Sequence, residues 1–177
     1  MLRQQFEQDL QDLKDELLLL SSMAAESVHQ AVVAMQAMDS GKARKIIEGD
    51  GAVNRKRFQI EDRCLTLIAT QQPMARDMRL LAAILEIAGE LERIGDYGKG
   101  IGRIIVYMNG NAPIKKLIDI PRMETIAHAM LDKAMLAFIN SDVALAQSVP
   151  PIDDEVDALY NQVNRDLLSL LQMQPNG

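Results

Sequence analysis

The sequence predicts an all-α fold, and three observations carry that expectation. Hydrophobic residues make up 48% of the 177 residues, yet aromatic residues make up only 3% and Trp is absent. Strands draw on aromatic and β-branched side chains, so a core built from Leu, Ile, Ala and 11 Met points to helices instead. Apolar residues also recur in steps of three and four over long stretches, which is the helical period. The 10 Gly and 6 Pro sit in a few clusters.

Residues 2–38 read as one long amphipathic helix. Leu2, Phe6, Leu10, Leu13, Leu17, Leu20, Ala24, Val28, Ala31, Met35 and Met38 fall on one stripe, and Glu7, Asp9, Asp12, Lys14, Asp15 and Glu26 lie opposite. Asp39-Ser40-Gly41 reads as a turn with an N-cap. A short helix is expected over 42–48, with Gly49 and Gly51 weakening helix around Asp50. A second long helix then covers 52–70, with Val53, Phe58, Ile60, Cys64, Leu65 and Ile68 on its apolar side, and Pro73 stops it. The third spans 74–108 and is expected to bury Leu80, Ile84, Ile87, Leu91 and Ile94 against the first two. Residues 109–121 form a loop. A fourth helix opens near Pro121, where proline suits the first turn, and runs to 139. Ser141-Asp142 caps a short helix to 148, Pro150-Pro151 breaks it, and the last helix covers 153–172.

An internal repeat underlies this order. At an offset of 103 residues, Ala24 meets Ala127, Ala31 meets Ala134, Asp39 meets Asp142, Ala43 meets Ala146, Val53 meets Val156 and Leu65 meets Leu168. Both copies run long helix, Asp cap, short helix, break, then a helix opened by an acidic residue. The expected division is 1–110 for a first three-helix repeat and 111–177 for an incomplete second one. A third helix of the second copy would begin after Pro175, so the second bundle is expected to be truncated to a helical hairpin. Its last helix then leaves Val156, Leu159, Tyr160, Val163, Leu167, Leu168 and Leu171 partly uncovered. A homodimer through the second copy would cover that stripe.

Charge and chemistry narrow the function. The net charge of −6 and the lack of a dense basic run argue against a nucleic-acid partner. The single Cys64 fits a reducing compartment, the first residues carry no signal-peptide pattern, and the apolar runs fall short of a bilayer span. His29 and His128 lie on different helices, which leaves Ser/His/Asp or Cys/His catalysis without support. Gly98, Gly100 and Gly102 fall late in a helix rather than after a strand, so they read as close helix contact or a weakened helix end, not as a dinucleotide site.

Paired carboxylates are the better lead. Glu92 and Asp96 stand at i and i+4 on one helix face, and Asp153 and Asp157 repeat the spacing at the start of the last helix. Asp50 and Asn54 hold the equivalent place in the first copy. Hard oxygen ligands from two helices suit Mg, Mn, Ca or ferric iron. The same residues also suit a solvated acidic face, with capping and dipole roles for Asp50, Asp153 and Asp154.

Three segments carry a family resemblance: Ile60-Glu-Asp-Arg-Cys-Leu65, Gln71-Gln-Pro-Met-Ala-Arg-Asp77-Met-Arg79 and Leu91-Glu-Arg-Ile-Gly-Asp96. With Val156-Asp-Ala-Leu-Tyr160-Asn-Gln-Val163 in the second copy, the chain resembles the PhoU family of bacterial phosphate-signalling regulators over essentially its whole length. The resemblance implies tandem three-helix bundles and no enzymatic activity. It implies a cytoplasmic negative regulator that links a phosphate ABC transporter ATPase to a phosphate-sensing histidine kinase. It also implies a capacity for iron or another cation through a Glu/Asp-x-x-x-Asp motif, matched here by Glu92 with Asp96 and by Asp153 with Asp157. Asp50 matches the motif, whereas Asn54 lacks its second carboxylate and Gly100 stands where the family has Asn.

Overall fold

The computed structural model describes residues 2–113 and 115–173, the side chains of Leu2, Arg3 and Met173 excepted. The Leu2 side chain and Pro175, both used above, lie outside the described residues. Among those described there are helices and no strand. They are α1 (Leu2–Ala37), α2 (Ser40–Gln71), α3 (Ala75–Met108), α4 (Asp119–Asn140), α5 (Val143–Gln147) and α6 (Pro150–Met173). They fall into two compact units, Met1–Ala112 and Pro113–Gly177.

The first unit is a three-helix bundle in which each helix packs on the other two. From α1, Leu13, Leu17, Leu20, Ala24, Ala31 and Ala34 are completely buried, as the three-four spacing requires. Each fully buried leucine removes enough apolar surface from water to stabilise the fold by roughly 1.5–3 kcal/mol. By length and composition α1 could cross a membrane. Its most apolar stripe is instead spent on this core.

Charge closes the edge of the α1–α2 contact. Arg63 of α2 pairs with Glu16 and lies 3.5 Å from Asp12 and 3.9 Å from Asp9, and Lys56 reaches Glu16 at 3.1 Å. Burial opposes the Arg63 charge, but the hydrogen bonds to Glu16 and Asp12 outweigh it and hold the guanidinium above its ordinary range.

One expected break does not occur. The helix of residues 42–48 and the helix of 52–70 are one continuous α2, which passes through Gly49-Asp50-Gly51. Each glycine costs a helix interior about 1 kcal/mol relative to alanine. Ala43, Val53, Ile60, Cys64 and Leu67 are buried on either side of the pair, and that packing outweighs the local cost. The expected break between the short helix and the last one stands, between α5 and α6, but Pro150-Pro151 lie in the first turn of α6, which begins at 150 instead of the expected 153. Proline has no N–H to lose in the first turn, where the backbone donors have no helical partner anyway.

Within α3 the deepest line is Leu81, Ile84, Ala88, Leu91, Gly95, Gly98, Gly102 and Ile105. Leu80, Ile87 and Ile94, expected in the core, flank that line and are half-buried. Phe58 and Leu65 of α2, also expected on the apolar side, are exposed, and the Arg57 guanidinium lies 4.8 Å from the Phe58 ring centre. The glycines explain how closely α3 approaches. A Cβ on Gly98 would stand 2.4 Å from Ser27 Oγ and 2.8 Å from the Ser27 backbone on α1. A Cβ on Gly102 would meet the Ala43 carbonyl of α2 at 3.1 Å, whereas one on Gly100 would meet nothing within 4 Å. Close helix contact is therefore the role of Gly98 and Gly102 but not of Gly100.

The second unit is a hairpin of α4 and α6 with the short α5 packed on α4. Met135, Ala137 and Leu159 are buried in it. Lys115 and Asp166 pair across it, as do Arg122 and Glu155. The turn that opens each unit's second stretch is the same device. Met38 and Ser141 take left-handed backbone conformations, with φ of 51° and 54°. The next residue, Asp39 or Asp142, donates its N–H to the carbonyl of Ala34 (2.9 Å) or Ala137 (2.8 Å). Its carboxylate then caps the following helix, Asp39 accepting from the N–H groups of Gly41 and Lys42 and Asp142 from that of Leu145. The offset of 103 residues relates every one of these partners, Lys42 to Leu145 included, and only the Gly41 N–H has no counterpart.

Candidate functional site

Asp50 lies about a third of the way along α2, between the two glycines, and is only 7% exposed. A carboxylate taken that far out of water must be paired. Both of its partners reach Oδ2. Lys99 of α3 donates from Nζ at 2.6 Å and Asn54, one turn along α2, donates from Nδ2 at 3.0 Å. Lys99 also reaches Asp96 Oδ1 at 3.2 Å, one turn back along its own helix. The hydrogen bond to Asp50, and then the one to Asp96, hold the Lys99 ammonium above the ordinary lysine range. One ammonium thus bridges a buried carboxylate on α2 and an exposed one on α3.

The predicted site residues are therefore only partly brought together. Asp50 and Asp96 meet through Lys99. Glu92 is half-buried one turn before Asp96 on α3. Asp153 and Asp157 are exposed on the first turns of α6, in the second unit, where Asp153 favours the positive end of the helix. Among the described residues no three His, Cys, Asp or Glu side chains are grouped so as to hold a metal ion. The donor set around Asp50 does not fit a hard cation. Its Oδ2 faces an ammonium and an amide N–H, both of which present positive hydrogen to it, and Gly100 offers no side chain. Lys99 was missed by the sequence reasoning. Its spacing of three from Asp96 was visible, but its main partner lies 49 residues away.

The Gln71-Gln72-Pro73 segment forms the turn between α2 and α3, with Gln72 in a left-handed conformation at φ 46°. It borders an open pocket at that end of the bundle, together with Phe6, Leu10, Met74 and Asp77.

A tandem helical-repeat protein, with two related units of capped long helices, is the class this fold and site define. The chain belongs to the PhoU family: the PhoU domain matches residues 17–105 and 120–177. The phosphate-specific transport system accessory protein PhoU homolog of Aquifex aeolicus is 30% identical over 169 residues, covering 96% of this chain and 76% of that protein. The PhoU accessory protein of Escherichia coli K12 is 29% identical over 167 residues, covering 94% and 69%. The crystal structure of PhoU from Pseudomonas aeruginosa superposes with a TM-score of 0.86 at 30% identity, over 96% of this chain and 82% of that one. The PhoU structure from Streptococcus pneumoniae also gives 0.86, at 26% identity over 96% and 80%.

Proposed function

We propose that this chain is a cytoplasmic regulator of phosphate uptake. In this reading it binds the ATPase of a phosphate ABC transporter and a phosphate-sensing histidine kinase, and keeps the phosphate-starvation response switched off while phosphate is plentiful. It acts by protein contact rather than by catalysis. The observation that carries the reading is family membership along both units, among relatives named as accessory proteins of a phosphate-specific transport system. Co-purification of the tagged chain with the transporter ATPase and the kinase tests it. Recovery of both, with a phosphate-starvation reporter that turns on when the gene is deleted, is the expected result. Recovery of neither, with an unchanged reporter, overturns it.

A homodimer through the second unit belongs to the same reading. Its support is the run of exposed apolar side chains there, including Ile118, Leu136, Tyr160 and Leu171. Light scattering at micromolar concentration should give twice the chain mass, and a strictly monomeric mass refutes it. The second functional reading, a store or enzyme holding iron or another hard cation on Glu92, Asp96, Asp50, Asp153 and Asp157, has the acidic spacing in its favour and no grouped ligand set. Stoichiometric metal in protein purified from cells would turn the argument towards it.

A further inference from the structure

We propose that Lys99 is the resident cation of the first unit: its ammonium, rather than a metal ion, holds the Asp50 carboxylate of α2 and the Asp96 carboxylate of α3 together. The argument rests on what surrounds Asp50. A carboxylate at 7% exposure needs a positive partner. Lys99 supplies it at 2.6 Å and shares the same nitrogen with Asp96 at 3.2 Å. A metal ion entering between these carboxylates would need bare oxygens. Oδ2 of Asp50 instead accepts from both Lys99 and the Asn54 amide. To bind there, the ion would have to displace an ammonium tethered to the bundle, which competes as an intramolecular partner.

The neighbouring positions strengthen the assignment. Asn54 turns a donor, not an acceptor, towards the site. Gly100, next to Lys99, brings no ligand, and a Cβ there would touch nothing. Lys99 itself is about three-quarters covered, and its charge is shared between the buried Asp50 and the exposed Asp96. The pair therefore ties α2 to α3 by charge, at a depth where the bond is poorly screened by salt.

The test uses the full chain, stripped with EDTA, gel-filtered, then incubated with Mn(II) or Fe(III) and gel-filtered again. Bound metal and melting temperature are the readouts. The wild-type chain is expected to retain no metal that D50N/D96N lacks, and to melt at the same temperature in EDTA and in Mn(II). K99Q should melt about 6 °C or more lower, as loss of a buried carboxylate's ion-pair partner implies for a chain of this size. K99R should stay near wild type, and D50N/K99Q should recover most of the loss, because no orphaned charge remains. If K99Q fails to fold, K99R and D50N/K99Q carry the same contrast. Metal kept equally by D50N/D96N lies elsewhere and supports the assignment. Metal held by the wild type and released by D50N/D96N overturns it, as does a K99Q protein that melts like wild type.

Discussion

Leu65 in the first unit and Leu168 in the second stand 103 residues apart and are almost equally exposed, at 58% and 60%. Ala43 and Ala146 are separated by the same interval and behave oppositely, the first completely buried and the second exposed. Ala24 with Ala127 and Ala31 with Ala134 repeat the second pattern. The two units thus agree at Leu65 and Leu168 on the outer side of α2 and α6, and at Ala34 and Ala137, both buried, but disagree at these three alanine pairs. Ala43 lies under α3, where Gly102 meets its carbonyl. Among the described residues the second unit has no counterpart of α3. Burial of these helices is therefore set by which neighbour lies above a stripe, while the apolar spacing and the capped turn recur in both copies.

That contrast can be broken most forcefully at Ile84, which is completely buried in the covered unit. Ile84→Asp strands an unpaired carboxylate in the core and should cost about 3–5 kcal/mol. Leu168→Asp, on a side chain left exposed, should change stability by no more than ~0.5 kcal/mol in the monomer. Chemical denaturation of the two variants checks both, and equal losses would end the distinction between covered and uncovered stripes. Smaller, and aimed at the α1–α3 contact, Gly98→Ala drives a Cβ into the Ser27 backbone and should cost about 1–3 kcal/mol through overpacking. The reverse sign is expected two residues on. Gly100→Ala meets open space on the same helix and should stabilise by about 0.5–1 kcal/mol, as should Gly49→Ala in α2. Melting temperatures that fall for all three would mean α3 sits differently on its neighbours.

The smallest effect concerns pH and the second unit alone. The hydrogen bond from Lys115 lowers the Asp166 carboxyl below the ordinary carboxylate range. A group held below its unfolded value adds stability above that unfolded value, and the contribution disappears as pH falls through the folded one. Amide protection factors in α4 and α6, measured against the intrinsic rate at each pH, should therefore fall as pH drops through the carboxylate range, and Asp166→Asn should flatten that dependence while leaving α1–α3 unaffected.

Much of this was legible in the chain. The periods of α1, α3, α4 and α6, the Asp39 and Asp142 caps and the repeat are local signals, and local signals are what a sequence displays. What stayed hidden depends on neighbours. Gly49 and Gly51 oppose helix locally, and only packing along the whole of α2 overrides them. The apolar run at residues 80–85 allows two adjacent lines, and the approach of α1 and α2 selects Leu81, Ile84 and Ala88 over Leu80 and Ile87. At the acidic positions the spacing of Asp50, Glu92 and Asp96 was visible. The ammonium between them was not, because it depends on the register of α3 against α2.

Cys64 gives the first unit something the second lacks. Its side chain is fully enclosed, and burial pushes the thiol up to about 11. At neutral pH only about one molecule in ten thousand would then carry the reactive thiolate while the bundle is closed. A thiol reagent therefore waits for the first unit to open, and the second can come apart without registering. The protein carries a one-sided clock, wired by its single sulfhydryl to the half that holds Asp50 and Lys99.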